Sequence, residues 1–213
     1  MTQTTLPQLP TGLVDRAREM IRRGGRHLLG IAGTPGSGKS TVAQLLAEAL
    51  GEQAVVVPMD GFHLANRQLA QLRRAERKGA PDTFDVSGYL ALLGRLKAQQ
   101  PGEVIYAPFF DRELEEGIAG AIAVAAEVPL IISEGNYLLM EEGGWAPVAQ
   151  CFDDLWFVAV SQAQRRARLV ERHMRFGRSR EAAEAWVDST DEPNAQRVEA
   201  SRGRAHVMVP WAG

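Results

Sequence analysis

The chain has 213 residues, 45% hydrophobic and 23% charged, with a formal net charge of −2. That composition suits one globular domain and excludes global disorder, collagen and coiled coil; without a basic excess, DNA and anionic lipid are not expected as main partners. The one cysteine, Cys151, can close no intrachain disulfide, so a reducing, cytoplasmic setting is expected.

Met1–Pro10 is polar, with neither the basic nor the apolar region of a leader segment. Residues 1–12 read as a flexible tail and residues 13–213 as a single domain. Leu13, Ala17, Met20 and Ile21 share a helical face, and Gly24 and Gly25 end that helix. His27–Ala32 is a short apolar run suited to a buried strand. After a glycine-rich loop, an alanine- and leucine-rich helix is expected from Lys39 to Leu50, stopped by Gly51. Ala54–Pro58 is the next strand, dense in β-branched residues. Asn66–Lys78 reads as one basic helix and Ser87–Gln99 as another. Val104–Ala107 is a short strand, and Gly120–Val124 part of a small hairpin. Pro129–Ser133 and Asp154–Ala159 are buried strands. Ser161–Arg175 and Arg180–Val187 are helices around a glycine bend, forming a lid at about 161–190. His206–Val209 is the last strand. The most apolar stretch, Ile118–Ile132, is broken by Glu127 and Pro129 and falls short of the ~20 residues a membrane span needs. Strands alternating with helices predict an α/β fold with a mostly parallel sheet flanked by helices.

The sharpest motif is Gly33-Thr34-Pro35-Gly36-Ser37-Gly38-Lys39-Ser40, a complete G-x-x-x-x-G-K-[ST] between an apolar strand and a helix. The glycines let the backbone turn its N–H groups onto phosphates, and the helix start adds its positive dipole end. Lys39, one of three lysines in the chain, reaches the β/γ-phosphates, and the Ser40 hydroxyl suits Mg²⁺. Thr41 completes the nucleotide-binding run. No asparagine is followed by lysine, so a guanine-reading motif is lacking.

Asp60 follows the second strand, where open α/β sheets bind ligands. It is either a turn residue before Gly61 or a carboxylate placed to take the proton of an attacking hydroxyl. Asp85 suits a helix N-cap, which leaves Asp82 as the better contact for substrate hydroxyls. Tyr106, Asp111 and Arg112, beside Phe109 and Phe110, either line a polar pocket or combine core aromatics with a surface ion pair. His63 is a substrate contact or a hydrogen-bonded loop histidine, and Tyr137 completes the candidate substrate set. Glu134 ends a buried strand, a position from which a carboxylate holds Mg²⁺ directly or through water. Residues 161–180 carry seven arginines and one acid, Glu171. Arg165, Arg168, Arg172 and Arg175 share a helix face and suit clamping of a transferring phosphoryl group. RNA contact by this helix is disfavoured by the balanced net charge.

The order GTPGSGKS, MDGFH, APDTFD, YAPFFDR, ISEGNY, arginine-rich helix, DEPNAQRV resembles the uridine kinase, phosphoribulokinase and pantothenate kinase family. The likeness runs over about residues 25–210 and is nearest a bacterial branch labelled nucleoside/nucleotide kinase-like or fructose transport system kinase. It implies ATP–Mg²⁺ phosphorylation of an alcohol on a small metabolite; a monomer or homodimer is expected. It also implies that Asp60 is the catalytic base, that Glu134-Gly135 is the family's E-G pair, and that Arg168 and Arg172 are lid arginines. Ala80 stands where uridine kinases carry histidine, and Phe62-His63 follows the acidic residue. A regulatory NTPase with no small acceptor is the competing expectation.

Overall fold

The computed structural model describes residues 8–211. Residues 1–7 of the expected tail lie outside the described residues, while Leu9 packs against the core. A five-stranded sheet runs in the order β2 (Ala54–Val56), β5 (Leu130–Gly135), β1 (His27–Gly33), β6 (Asp154–Ala159), β7 (Val207–Pro210). Every neighbouring pair in it is parallel. The strands are apolar runs because both faces are covered. Leu28, Ile131, Leu155 and Phe157 point into one core with α4 (Val86–Lys97). Leu29, Ile31, Leu130, Ile132, Trp156 and Val158 point into the other, against α1 (Leu13–Arg22) and α2 (Lys39–Leu50).

Polar ties hold the layers in register. Tyr89 on α4 donates to Ser133 Oγ at 2.7 Å, and Ser133 in turn donates to the Val57 carbonyl at 2.6 Å. Asp154, at the start of β6, accepts from Arg16 at 2.6 and 3.0 Å and from Trp156 Nε1 at 2.9 Å. It also meets His206 Nδ1 at 3.0 Å. One buried carboxylate thus fixes α1, β6 and the approach to β7.

Three elements differ from the sequence expectation. The basic helix stops early: α3 spans only Asn66–Gln71, because Arg73 takes a left-handed φ of 57° and the chain turns away. The hairpin is longer than expected, with β3 (Val104–Asp111) antiparallel to β4 (Glu116–Ala125) as a separate two-stranded sheet. After α5 (Gln162–Arg175) and α6 (Arg180–Trp186), a π-turn at Val187–Asp191 leads into α7 (Glu192–Ala200). No element is expected between Val187 and His206, yet α7 forms there, with Pro193 in its first turn, where the missing N–H is harmless. Leu169, Val170, Ala183 and Val187 form a small core of their own between α5 and α6.

Candidate active site

A cleft of about 960 Å³ opens at the C-terminal edge of the sheet. One wall is the loop between β1 and α2. Gly36 and Gly38 hold φ of 77° and 91°, and Gly38 caps α2 without a side-chain hydrogen bond. The first-turn N–H groups of α2 are therefore available to an anion. Close packing reinforces the need for glycine: a Cβ on Gly36 would lie 2.8 Å from Leu169 Cγ, and one on Gly38 2.5 Å from Trp211 Nε1. Lys39 is buried, its Nζ 3.9 Å from Glu134 Oε2.

Ser40 donates to Glu134 Oε1 at 2.9 Å. Glu134 Oε2 is buried without a hydrogen-bond partner, as are Ser37 Oγ and Asn136 Oδ1. Burial raises the Glu134 carboxyl, with nearby Asp60 adding to the effect; the Lys39 cation and the Ser40 hydrogen bond oppose but do not overcome it. A hydroxyl and an unsatisfied carboxylate oxygen form a hard oxygen donor set beside a phosphate cradle, and this fits Mg²⁺.

Asp60 faces them from the 3₁₀ turn Met59–Phe62 after β2. Its main-chain carbonyl does the turn's work, accepting from His63 N at 3.1 Å and His63 Nδ1 at 2.7 Å. The carboxylate is left to the cleft, where Arg112 Nη2 stands 3.4 Å away. Burial pushes this carboxyl up. The cations Lys39, Arg112 and Arg172, with His63, outweigh that and leave it below the usual range. The two carboxyls are thereby shifted in opposite directions, Asp60 downward and Glu134 upward. His63 lies between the Phe84 and Phe110 rings at 4.1 and 4.5 Å. Burial lowers its pKa even beside Asp60, and the Asp60 carbonyl makes Nδ1 the donor, so that Nε2 is the nitrogen left to accept when the ring is neutral.

The sequence profile of the Phosphoribulokinase / Uridine kinase family matches residues 28–212. The chain belongs to that family. Its kinase fold is shared with a Silicibacter protein described as a candidate fructose transport system kinase, at 40% identity and a TM-score of 0.84 over 93% of this chain and 99% of that one. A Schizosaccharomyces pombe protein described as a candidate uridine kinase is 34% identical over 188 residues, 84% of this chain and 79% of its own length. An Aspergillus versicolor ATP-dependent kinase-like protein is 35% identical over 160 residues, 71% of this chain and 93% of its own length. The chain is thus a small-molecule phosphotransferase, and the family implies ATP and typically Mg²⁺. Among the described residues no helix is long and apolar enough to cross a membrane.

The kinase cleft gathers some of the sequence candidates and leaves others out. Lys39, Ser40, Thr41, Asp60, His63, Arg112, Arg168 and Arg172 line it, with Pro35, Gly36 and Gly38 of the loop. Gly33 and Thr34 are buried at the loop's start. Asp82 is held instead by Arg77 Nη2 at 2.6 Å and Arg74 Nε at 3.4 Å. Asp85 is the N-cap of α4, accepting from Gly88 N at 2.9 Å. Asp111 Oδ1 accepts from the N–H groups of Glu113 and Leu114 at 2.8 and 3.0 Å, shaping the hairpin turn. Tyr137 is fully buried and donates to the Gly79 carbonyl. Tyr106 is 61% exposed on the hairpin and does not line the cleft.

The arginine row divides in the same way. Arg168 reaches the Ser37 carbonyl at 3.4 Å. Arg172 is desolvated by burial and set beside the like charge of Arg112, both of which lower its pKa. Arg165, expected on the same open face, is buried in an ion pair with Glu192, and Arg166 pairs with Asp188. The one-faced spacing is real; packing against the α7 start takes its first member. Sequence reasoning did not single out Lys78, Asn136, Asp191 or Asn194, which also line the cleft. Lys78 had one available signal, the scarcity of lysine in the chain.

Proposed function

We propose that this kinase transfers the γ-phosphoryl group of ATP to a hydroxyl of a polyol-bearing metabolite of sugar, nucleoside or pantothenate-like type. The observation that carries the reading is Asp60: a carboxylate free of turn duty, lining the same cleft as Lys39, Arg112 and Arg172. The loop amides and Lys39 hold the triphosphate. Ser40 and Glu134 hold Mg²⁺, which when bound neutralises phosphate charge. Asp60 orients the acceptor hydroxyl and takes its proton, a contribution of about 10²–10⁴-fold for a general base. His63 Nε2 accepts from a second hydroxyl. Arg168 and Arg172, on a lid formed by α5 and α6, lie over the transferring group and stabilise its charge. Asp82, Tyr106, Asp111 and Tyr137 are set aside as direct contacts, since each has another job or place in this structure.

The relatives' names supply the acceptors to try first. Purified protein with ATP–Mg²⁺ is screened against fructose and other sugars, uridine and other nucleosides, and pantothenate, reading ADP release and product mass. A phosphorylated acceptor with matching ADP is expected. ADP release that no acceptor raises, with no phosphorylated product, would overturn the reading.

A further inference from the structure

Of the three lysines in the chain, Lys39 serves the phosphate loop and Lys97 pairs with Asp153 at 3.1 Å on the surface. Lys78 has neither kind of place. Its side chain is only 11% exposed, it lines the cleft, and its Nζ lies 5.2 Å from the centre of the Phe110 ring. Burying an ammonium is costly unless its donors are used. Lys78 uses them on two oxygens, donating to Asn66 Oδ1 at 2.6 Å and to the Glu115 carbonyl. Its base is fixed as well: the next residue, Gly79, donates to Thr83 Oγ1 at 3.0 Å and accepts the Tyr137 hydroxyl on its carbonyl. Glu115 belongs to the turn between β3 and β4, and that turn carries Arg112. The root of the hairpin is set directly on the Asp60 turn. A Cβ on Gly61 would lie 2.5 Å from the Pro108 carbonyl oxygen, and one on Gly117 2.7 Å from the Gly61 carbonyl oxygen. The tip reaches past that contact. Asn66 donates from its main chain to Glu116 Oε1 at 3.0 Å and from Nδ2 to the Glu115 carbonyl at 3.3 Å. Among the described residues, the tip's hydrogen bonds to the rest of the chain run to Asn66, to Lys78 and, from Arg112 at 3.4 Å, to Asp60.

We propose that Lys78 is a positioning residue for the phosphoryl acceptor: it clasps the hairpin tip to Asn66 and so holds Arg112 beside Asp60. This rests on the reading of the cleft as a kinase site in which Asp60 meets the acceptor hydroxyl. With two donors spent on the protein and Glu115 Oε2 at 3.9 Å, the Lys78 ammonium is engaged by the clasp and not held ready for an acceptor. Arg112 is the group it places. That guanidinium makes no other hydrogen bond among the described residues, which leaves its remaining N–H groups to a ligand. The phosphate loop forms a different wall of the cleft, so the clasp bears on the acceptor and not on ATP. A shift of about 1 Å in a positioning group can cost on the order of 10²-fold in rate.

Lys78→Met keeps the stem and removes the donors. In ligand-free protein it should quicken hydrogen exchange over residues 111–117 at least about tenfold, while Lys97→Met, at the surface lysine, should not. Kinetics use whichever of fructose, uridine and pantothenate the wild type phosphorylates. Lys78→Met should raise the acceptor KM at least about tenfold and leave the ATP KM within about twofold; a purely structural loss would lower the active fraction, and with it kcat, but neither KM. In an Arg112→Ala background the same substitution should raise the acceptor KM by no more than about a further twofold, because the residue it acts through is already gone. Should Lys78→Met misfold, Asn66→Ala removes the other half of the clasp and carries the same expectations. Unchanged exchange at the tip overturns the proposal, as does an unchanged acceptor KM or an equal rise in both KM values. Effects of Lys78→Met and Arg112→Ala that multiply would put Lys78 on the acceptor itself and also overturn it. If the wild type phosphorylates none of the three, the reading of the site fails on its own, and exchange at the tip still decides the clasp.

Discussion

Arg112 Nη2 and Asp60 Oδ2 stand 3.4 Å apart, although their residues lie on a hairpin turn and on the turn after β2, 52 positions away in sequence. The guanidinium helps hold the carboxylate ionised without engaging it at full hydrogen-bond strength. An acceptor hydroxyl has room to approach Asp60 from the cleft.

Asp60→Asn should therefore lower kcat by about 10²–10⁴-fold while leaving ATP affinity near wild type, since shape is kept and only the proton acceptor is lost. Steady-state kinetics beside nucleotide binding measurements check this. An unchanged kcat with a lower melting temperature would make Asp60 a structural residue.

Lys39→Ala should remove at least ~3 kcal/mol of transition-state stabilisation, because a buried cation is taken from the phosphate cradle. It also leaves buried Glu134 without its nearest positive charge, so nucleotide-free protein should keep its fold but melt at a lower temperature. Turnover close to wild type in folded protein would contradict the assignment of the loop.

The lid arginines should separate into two kinds. Arg168→Ala with Arg172→Ala should depress kcat strongly, because these two face the cleft. Arg165→Ala should instead loosen α5 against α7, since it leaves a gap and takes the cation from Glu192; Gln162 still donates to that part-exposed carboxylate at 3.1 Å, which keeps the cost on the order of 1–3 kcal/mol. Hydrogen exchange over Gln162–Ala200 without ligand distinguishes them: faster in Arg165→Ala, little changed in the double variant.

Asp154 gives a stability prediction with a defined sign. Burial raises its carboxyl, but hydrogen bonds from Arg16, Trp156 and His206 outweigh this and hold it below the usual range. A depressed native pKa contributes stability that is present above the unfolded value near ~4 and is lost as pH falls through the native one. Asp154→Asn should lower stability at pH 7 by on the order of 1–3 kcal/mol, half-exposed Arg16 limiting the effect. Urea midpoints of the two proteins should converge below about pH 4. A gap that stays constant would show that shape rather than charge is responsible.

The central sheet and the phosphate loop were legible because their signals are local. A strand buried on both faces is an apolar run, and the Gly33–Ser40 backbone needs its glycines wherever it occurs. Asp60 and Glu134 were legible from position alone, at strand ends beside that loop. Tyr106 and Asp82 misled because residue type says what a side chain can do, not which way its strand faces or which arginine reaches it first. Arg165 shows the same limit on a helix: spacing put it on the cleft face, and a partner 27 residues on turned it inward. The α7 start carries no comparable local signal: it continues from the π-turn at Val187–Asp191 and has Pro193 in its first turn.

The indole of Trp211 lies against Gly38, behind the phosphate loop, and Trp186 lies under the Arg178 guanidinium at the cleft, 4.1 Å from its ring centre. The remaining two tryptophans, Trp145 and Trp156, are buried in the two cores. The protein thus carries its own optical reporters, one behind the nucleotide's seat and one on the segment that would cover it. Replacing Trp145 and Trp156 by phenylalanine would leave emission dominated by the site, so that loading of the loop and movement of α6 could be followed in real time without any attached dye.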